Sequence, residues 1–183
     1  MRRNDFRFFR AGLSIAGLFL LTTCAMLAQG NSPVIQQAYS HLDRNVGLES
    51  NLSKMALKKS QNADVKKFAH QIISENNTIA SRMFTYSNRD GYILRGGPAP
   101  EEVAQAQKKM KQLTGTDFDK VYLTQIASLV NDDMKAVQDA GSPKDESELS
   151  AICTTVQSQS SDRMKQIHQL AAAENYNIEG ITP

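Results

Sequence analysis

The chain has 183 residues, with 21 Lys+Arg against 19 Asp+Glu, no Trp and two Cys. That length supplies one ordinary domain with a real core. The near balance of charge excludes the strongly basic profile of a nucleic-acid binder, and two cysteines exclude a disulfide-stapled scaffold.

Residues 1–28 read as a secretory signal. Arg2, Arg3, Arg7 and Arg10 precede an apolar run from Ala11 to Leu27, which ends among small residues. The run falls short of the roughly 20 residues that a bilayer span needs. Its tail, Thr22-Thr23-Cys24-Ala25-Met26-Leu27-Ala28, leaves several outcomes open. Cleavage after Ala25 has small Thr23 and Ala25 ahead of the cut, whereas cleavage after Ala28 leaves a Gln29 start but puts bulky Met26 before it. Leu21-Thr22-Thr23-Cys24 is similar to a bacterial lipoprotein box, with Thr23 where a smaller residue is usual, so lipidation of Cys24 is the second chemistry. Retention as an anchor is the third. Removing the leader takes away four Arg and Asp5, so 21 basic and 19 acidic residues become 17 and 18. The net charge of +2 belongs to the leader. The remainder gives no argument for nucleic acid or an anionic surface as partner. Only Cys153 stays outside the leader, on an apolar stripe, where it reads as a small buried hydrophobe.

Beyond the leader, apolar residues recur at helical spacing. A first helix opens at Ser32-Pro33, with Ser as cap and Pro at the first helical position. Its stripe runs Val34, Ala38, Leu42, Asn45, Glu49, Leu52, Ala56. Asn62-Ala63-Asp64 breaks it and caps a second helix with Val65, Phe68, Ala69, Ile72, Asn76, Ile79 and Met83 on one face, stopped near Gly91. Gly96-Gly97-Pro98 centres a loop. A short helix follows from Pro100 to about Leu113, with Glu101 and Glu102 at its start and lysines at its end, as the helix dipole favours. Gly115-Thr116 caps a helix carrying Phe118, Tyr122, Ile126, Leu129, Val130 and Val137. Gly141-Ser142-Pro143 ends that one and caps the last, which carries Leu149, Ile152, Cys153, Val156, Ser160, Arg163, Ile167 and Leu170. Four long helices plus one short helix in the middle crossover make a four-helix bundle. A shift of 84 residues lays the stripe of the second helix on that of the last, a hint of a repeated hairpin.

Glu49, Asn76, Ser160 and Arg163 interrupt the stripes. A buried charge is costly unless paired or liganded. Di-iron bundles hold metal with a Glu from each of two helices and Glu-x-x-His from the other two. That spacing is absent: Glu75 is followed by Thr78 and Glu148 by Ala151, and none of His41, His70 and His168 sits three residues after an acid. An interhelical salt bridge between Glu49 and Arg163, or a solvated bundle edge, is the simpler expectation. The Lys58-Lys59 and Lys108-Lys109-Met110-Lys111 clusters read as solvated helix ends. The sequons at Asn51 and Asn76 fall inside predicted helices.

Three stretches carry a family resemblance: Glu49 to Ala56, Val65-Lys66-Lys67-Phe68-Ala69 and Gly115 to Leu123, the last with its Phe118-Asp119-x-x-Tyr122 element. Over residues 33–174 the chain resembles domain of unknown function 4142, a family of exported, ferritin-like bacterial bundles. The resemblance implies a His after the acidic residue late in the second helix, a His eight residues past Tyr122, and a His after a Leu-Pro pair in the last helix. This chain has Asn76 and Val130 at the first two positions. Its last helix has no Pro, and the register falls on Asp162 or Arg163. By that comparison, any histidine metal site of the family is lost here.

The sequence therefore predicts an all-α, ferritin-like four-helix bundle with one extra short helix in the central crossover, spanning 33–174 and followed by a loose tail at 175–183. The expected function is a non-enzymatic, exported protein of the periplasm or outer-membrane-associated envelope, structural or protein-interacting, without a cofactor. Its expected partner is an unknown protein. Nucleic acid is not expected, and the membrane enters only through the leader or a lipid on Cys24. The competing expectation is a ferritin-like metal or redox protein in which Glu49, Glu75 and Asp162 form an oxygen site suited to a hard cation.

Overall fold

A computed structural model of the protein describes residues 33–90, 92–141 and 147–178. The leader, the Ser32 cap, Gly91, Ser142-Pro143 and the tail beyond 178 lie outside the described residues. Five helices and no strand appear among those described: α1 (Pro33–Lys59), α2 (Ala63–Asp90), α3 (Pro100–Lys108), α4 (Gly115–Ala140) and α5 (Ser147–Ala173).

Local chemistry explains the boundaries. Pro33 presets the first φ of α1. The Asn62 side-chain oxygen accepts hydrogen bonds from the backbone N–H groups of Asp64 (2.8 Å) and Val65 (3.2 Å), capping α2 where expected. Every residue of the predicted α2 stripe is buried. At α3, the Glu102 carboxylate accepts the Ala99 N–H at 3.0 Å. This helix stops at Lys108, short of the expected Leu113. The cause is Met110: the N–H groups of Met110 and Lys111 both turn back to the Gln107 carbonyl, which swings the Met110 side chain into the core. No residue of α3 itself is buried.

The topology is two antiparallel hairpins joined by a long crossover. α1 packs on α2 and α4, and α5 packs on α4 and α2, so α1 and α5 lie across a diagonal. The Ser53–Tyr122 and Asn45–Asp133 contacts show α1 and α4 running antiparallel. Glu75–Arg163 and Arg82–Glu148 show the same for α2 and α5. One end of the bundle, the upper end below, holds the α1–α2 turn, the α3–α4 connection and the end of α5. The lower end holds the start of α1.

The core is not continuous along the bundle axis. An upper apolar cluster contains Leu52, Phe68, Ile72, Phe118, Tyr122 and Ile126, and a lower one contains Tyr39, Leu42, Met83, Tyr86, Tyr92 and Ile152. Between them lies a layer of buried polar side chains. The stripes hold with local corrections. Val34 is 50% exposed and Ala38 only half-buried, because Tyr39 takes the inward position and packs its ring 5.7 Å from Tyr86 and 5.5 Å from Tyr92. Leu129 and Leu170 are half-buried, and Ala171 is buried in the last turn of α5. Cys153 is buried, and burial pushes its thiol up from the ordinary value, as befits a small core side chain.

Side chains of α1 hold the crossover in place. Gln36 exchanges two hydrogen bonds with the Ile93 backbone (2.9 and 3.0 Å). Asp43 accepts the N–H groups of Arg95 (3.1 Å) and Gly97 (2.9 Å). Just beyond, the Pro98 ring lies so close to Gly47 that a Cβ there would overlap the Pro98 Cδ. Gly47→Ala should therefore destabilise the protein by about 1–3 kcal/mol in urea unfolding and speed proteolysis within 92–99. In an open helix the same change stabilises by up to about 1 kcal/mol, so a more stable variant would refute the close approach.

Candidate functional site

The polar layer is built by one or two residues from each long helix. Glu49 and Asn45 come from α1, Glu75 and Asn76 from α2, Asp133 from α4, and Ser160 and Arg163 from α5. All but the half-buried Glu75 are buried.

Arg163 is the hub. Its Nη1 donates to Glu49 Oε2 at 2.7 Å across the diagonal, its Nε to Glu75 Oε2 at 2.9 Å, and its Nη2 to Asn76 Oδ1 at 2.7 Å. The Asn76 amide closes the ring by donating to Glu49 Oε2 (2.9 Å) and to the Val46 carbonyl (3.1 Å). The planar fork reaches the three acceptors from three separate nitrogens, a spread that a single ammonium nitrogen does not have. The expected Glu49–Arg163 bridge is thus present, and it is one arm of a larger network. Burial alone works against a charged guanidinium, but Glu49 and Glu75 outweigh it and hold Arg163 above its ordinary value.

The layer continues toward α4 through a second group. Asn45 donates to Asp133 Oδ1 at 2.8 Å and lies 2.9 Å from His41 Nε2, while its own oxygen accepts from Arg44 at 3.0 Å. The Asn45 amide nitrogen can only donate, so His41 Nε2 accepts in that contact, and Asp133 Oδ1 lies 3.7 Å from the same ring nitrogen. Burial lowers the His41 value, Asp132 opposing and Arg44 reinforcing that shift. His41 also lines two surface clefts, one beside Gly96-Gly97-Pro98 and one beside Asp132 and Asp139. The layer meets solvent at His41 on one side of the bundle and at Glu75 on the other.

Burial opposes ionisation of the carboxyls in the layer. Burial raises Glu49, and Arg163 and Asn76 reverse this only in part. Asp133 is raised well above its ordinary value, first by burial and then by the negative Glu49. Glu49 touches a guanidinium and Asp133 does not, so of the two Asp133 holds a proton more strongly. Glu49 Oε1 is buried without a hydrogen-bond partner.

Of the three sequence-derived ligand candidates, Glu49 and Glu75 meet at Arg163. Asp162 does not join them: it points outward, with its side chain 60% exposed, and pairs with Lys165 at 3.2 Å. Val130 lies in the upper apolar cluster. His70 is exposed, and neither it nor His168 bonds to the layer residues described here. Among the described residues no group of three or more His, Cys, Asp or Glu is arranged to hold a metal ion. The residues present do not fit one, because a guanidinium already sits on the two carboxylates that would have to ligate it. Sequence reasoning missed Asp133, placed Asn45 on the α1 stripe without counting it as a polar break, and gave His41 no site. The available signal was the 84-residue shift, which also lays Glu49 on Asp133 (133 − 49) and thereby marks a second buried acid on the partner hairpin. Asn76 is committed to this network.

Two outcomes follow from the charges. Arg163→Ala strands Glu49 and should cost about 3–5 kcal/mol in chemical unfolding. Arg163→Lys should recover less than half of that loss, since one ammonium cannot reproduce the three-way fork; full recovery would mean that charge alone matters. Asp133 keeps in the folded chain a proton that the unfolded chain releases near 3.8. Stability contributed by this group therefore falls as pH rises from that value toward the folded one. Asp133→Asn should unfold no more easily than the parent at neutral pH and show a flatter profile of melting temperature from about pH 4 upward. A marked loss of stability at neutral pH would place an ionised carboxylate at Asp133.

Comparison with known proteins bears on the fold's ancestry. Neither the curated proteins nor the solved structures contain a match to this chain. A family model described as a domain of unknown function (DUF4142) matches residues 25–170, which takes in α1 to α4, α5 as far as Leu170 and every residue of the polar layer. The chain belongs to the DUF4142 family.

Proposed function

We propose that this protein is an exported, non-enzymatic bundle of the bacterial envelope that works structurally or by holding a protein partner. One observation carries the reading: the position where carboxylates of α1 and α2 converge is filled by the protein's own guanidinium, with three charge-assisted hydrogen bonds at 2.7–2.9 Å. A site so filled rigidifies the bundle and leaves no open coordination position. The two-hairpin connectivity with one long crossover supports the ferritin-like reading of the fold. In that frame, Asn76 occupies one position to which the resemblance assigned a histidine, and Asp162 or Arg163 occupies another. Export rests on the leader at residues 1–28, with the periplasm or the outer membrane as destination.

The second reading is a ferritin-like metal or redox protein with a reduced carboxylate site. The unpartnered Glu49 Oε1 and the nearby acid Asp133 favour it. Elemental analysis of protein isolated from cell envelopes separates the two. The expected result is no stoichiometric iron or manganese. One equivalent of either, lost on Glu49→Ala, would overturn the structural reading. Mass spectrometry of the same preparation should find a start at Met26 or Gln29, or an acylated Cys24. An intact leader in the cytosolic fraction would refute export.

A further inference from the structure

The near-neutral charge of the exported chain hides a segregation that the fold creates. α1 ends on Lys58 and Lys59, and α2 begins with Lys66 and Lys67 in its first two turns. α3 ends on Lys108, the α3–α4 connection adds Lys109 and Lys111, and α4 adds Lys120 in its second turn. These sequence-distant groups meet at the upper end. Lys59 Nζ donates to the carbonyls of Met110 (3.0 Å) and Lys111 (2.6 Å), and Asn62 bonds Glu174 at 2.7 Å, which ties the α1–α2 turn to the connection and to the end of α5. Apart from Lys59 and Lys66, the lysines named are exposed. None of them forms an ion pair with a described carboxylate. The described acids at this end are Asp64, Asp117, Glu174 and the buried Asp119, whose carboxyl is raised by burial.

We propose that the upper end docks on an anionic lipid surface through lysine–headgroup attraction, without insertion. Three features choose that partner. First, the cations are all lysines, whereas Arg44, Arg82, Arg89 and Arg95 lie in the lower half and Arg163 in the centre. Lysine acts as a compact, hydrated point charge without directional demands on a phosphate-bearing surface, while arginine forks suit bidentate phosphate pockets and nucleic acids. Second, the exposed large apolar residues Val34, Phe84 and Ile93 all lie in the lower half. The described upper end thus offers neither a wedge for the hydrocarbon region nor an aromatic platform for bases. Third, the lysines come from four helices and a connection at one end of the bundle, which suits a broad planar contact better than a groove. The proposal departs from the sequence expectation of no anionic surface, which rested on total charge, whereas docking depends on local charge.

The test compares binding of the full chain to phosphatidylcholine vesicles with and without about one-third phosphatidylglycerol. Any apolar leader contributes to both, so the difference between them is the readout. Affinity for the anionic vesicles should be at least about tenfold higher, and the excess should vanish at about 0.5 M salt. The variant Lys58→Glu/Lys67→Glu/Lys108→Glu/Lys111→Glu should lose the excess, and glutamines at the same four positions should lose most of it. Each variant should keep the parental circular dichroism spectrum. Equal affinity for both vesicle types overturns the proposal. An undiminished excess in the folded glutamate variant does the same. Lysine-dependent end-to-end association of the protein in place of vesicle binding would assign this surface to a second copy.

Discussion

The fold depends on how one cation is buried. A guanidinium in the middle of a helical bundle carries a desolvation cost that only close, well-directed acceptors offset. Arg163 meets this by reaching across the diagonal to Glu49 while binding Glu75 and Asn76 on the neighbouring helix. The three contacts fix the rotation of α5 against α2 and the height of α1 against both. A slip of α5 by one turn would move the fork roughly 5.4 Å from its acceptors and bury bare charges. The apolar stripes tolerate such a slip far better, because a leucine finds another leucine. Register in this bundle is therefore set by polarity, and stability by the two greasy clusters on either side.

The helices were legible in the sequence because their signals are local. Asn62 before Ala63 caps α2 with its own side chain, and the 3.6-residue stripe of α2 is buried at every predicted position. Expectations failed where distant residues decide. Met110 ends α3 early because the core has room for its side chain, and no property of residues 100–113 alone reveals that room. Tyr39 displaces Val34 and Ala38 because Tyr86 and Tyr92, on the far side of a hairpin, offer it rings to stack on.

Half of the candidate site was legible and half was not. Glu49, Asn76, Ser160 and Arg163 stood out as polar breaks in apolar stripes, and they are buried together in the layer. Asp133 stayed hidden because it follows Asn131 and Asp132, so a third polar residue read as a solvated surface. Asp162, next to Arg163, shows the opposite error. One step along a helix turns a side chain by about 100°, enough to send a candidate ligand into solvent.

The division of the interior has a mechanical meaning. Each apolar cluster is bounded on one side by groups that cannot be deformed without breaking charged hydrogen bonds, so relaxation around a void in one compartment stops at the layer. A truncation at Ile72 above and another at Ile152 below would then behave as strangers, their penalties summing. Two truncations inside the same compartment would share one relaxed void and fall short of their sum. The bundle is one helical body holding two separate reservoirs of hydrophobic contact.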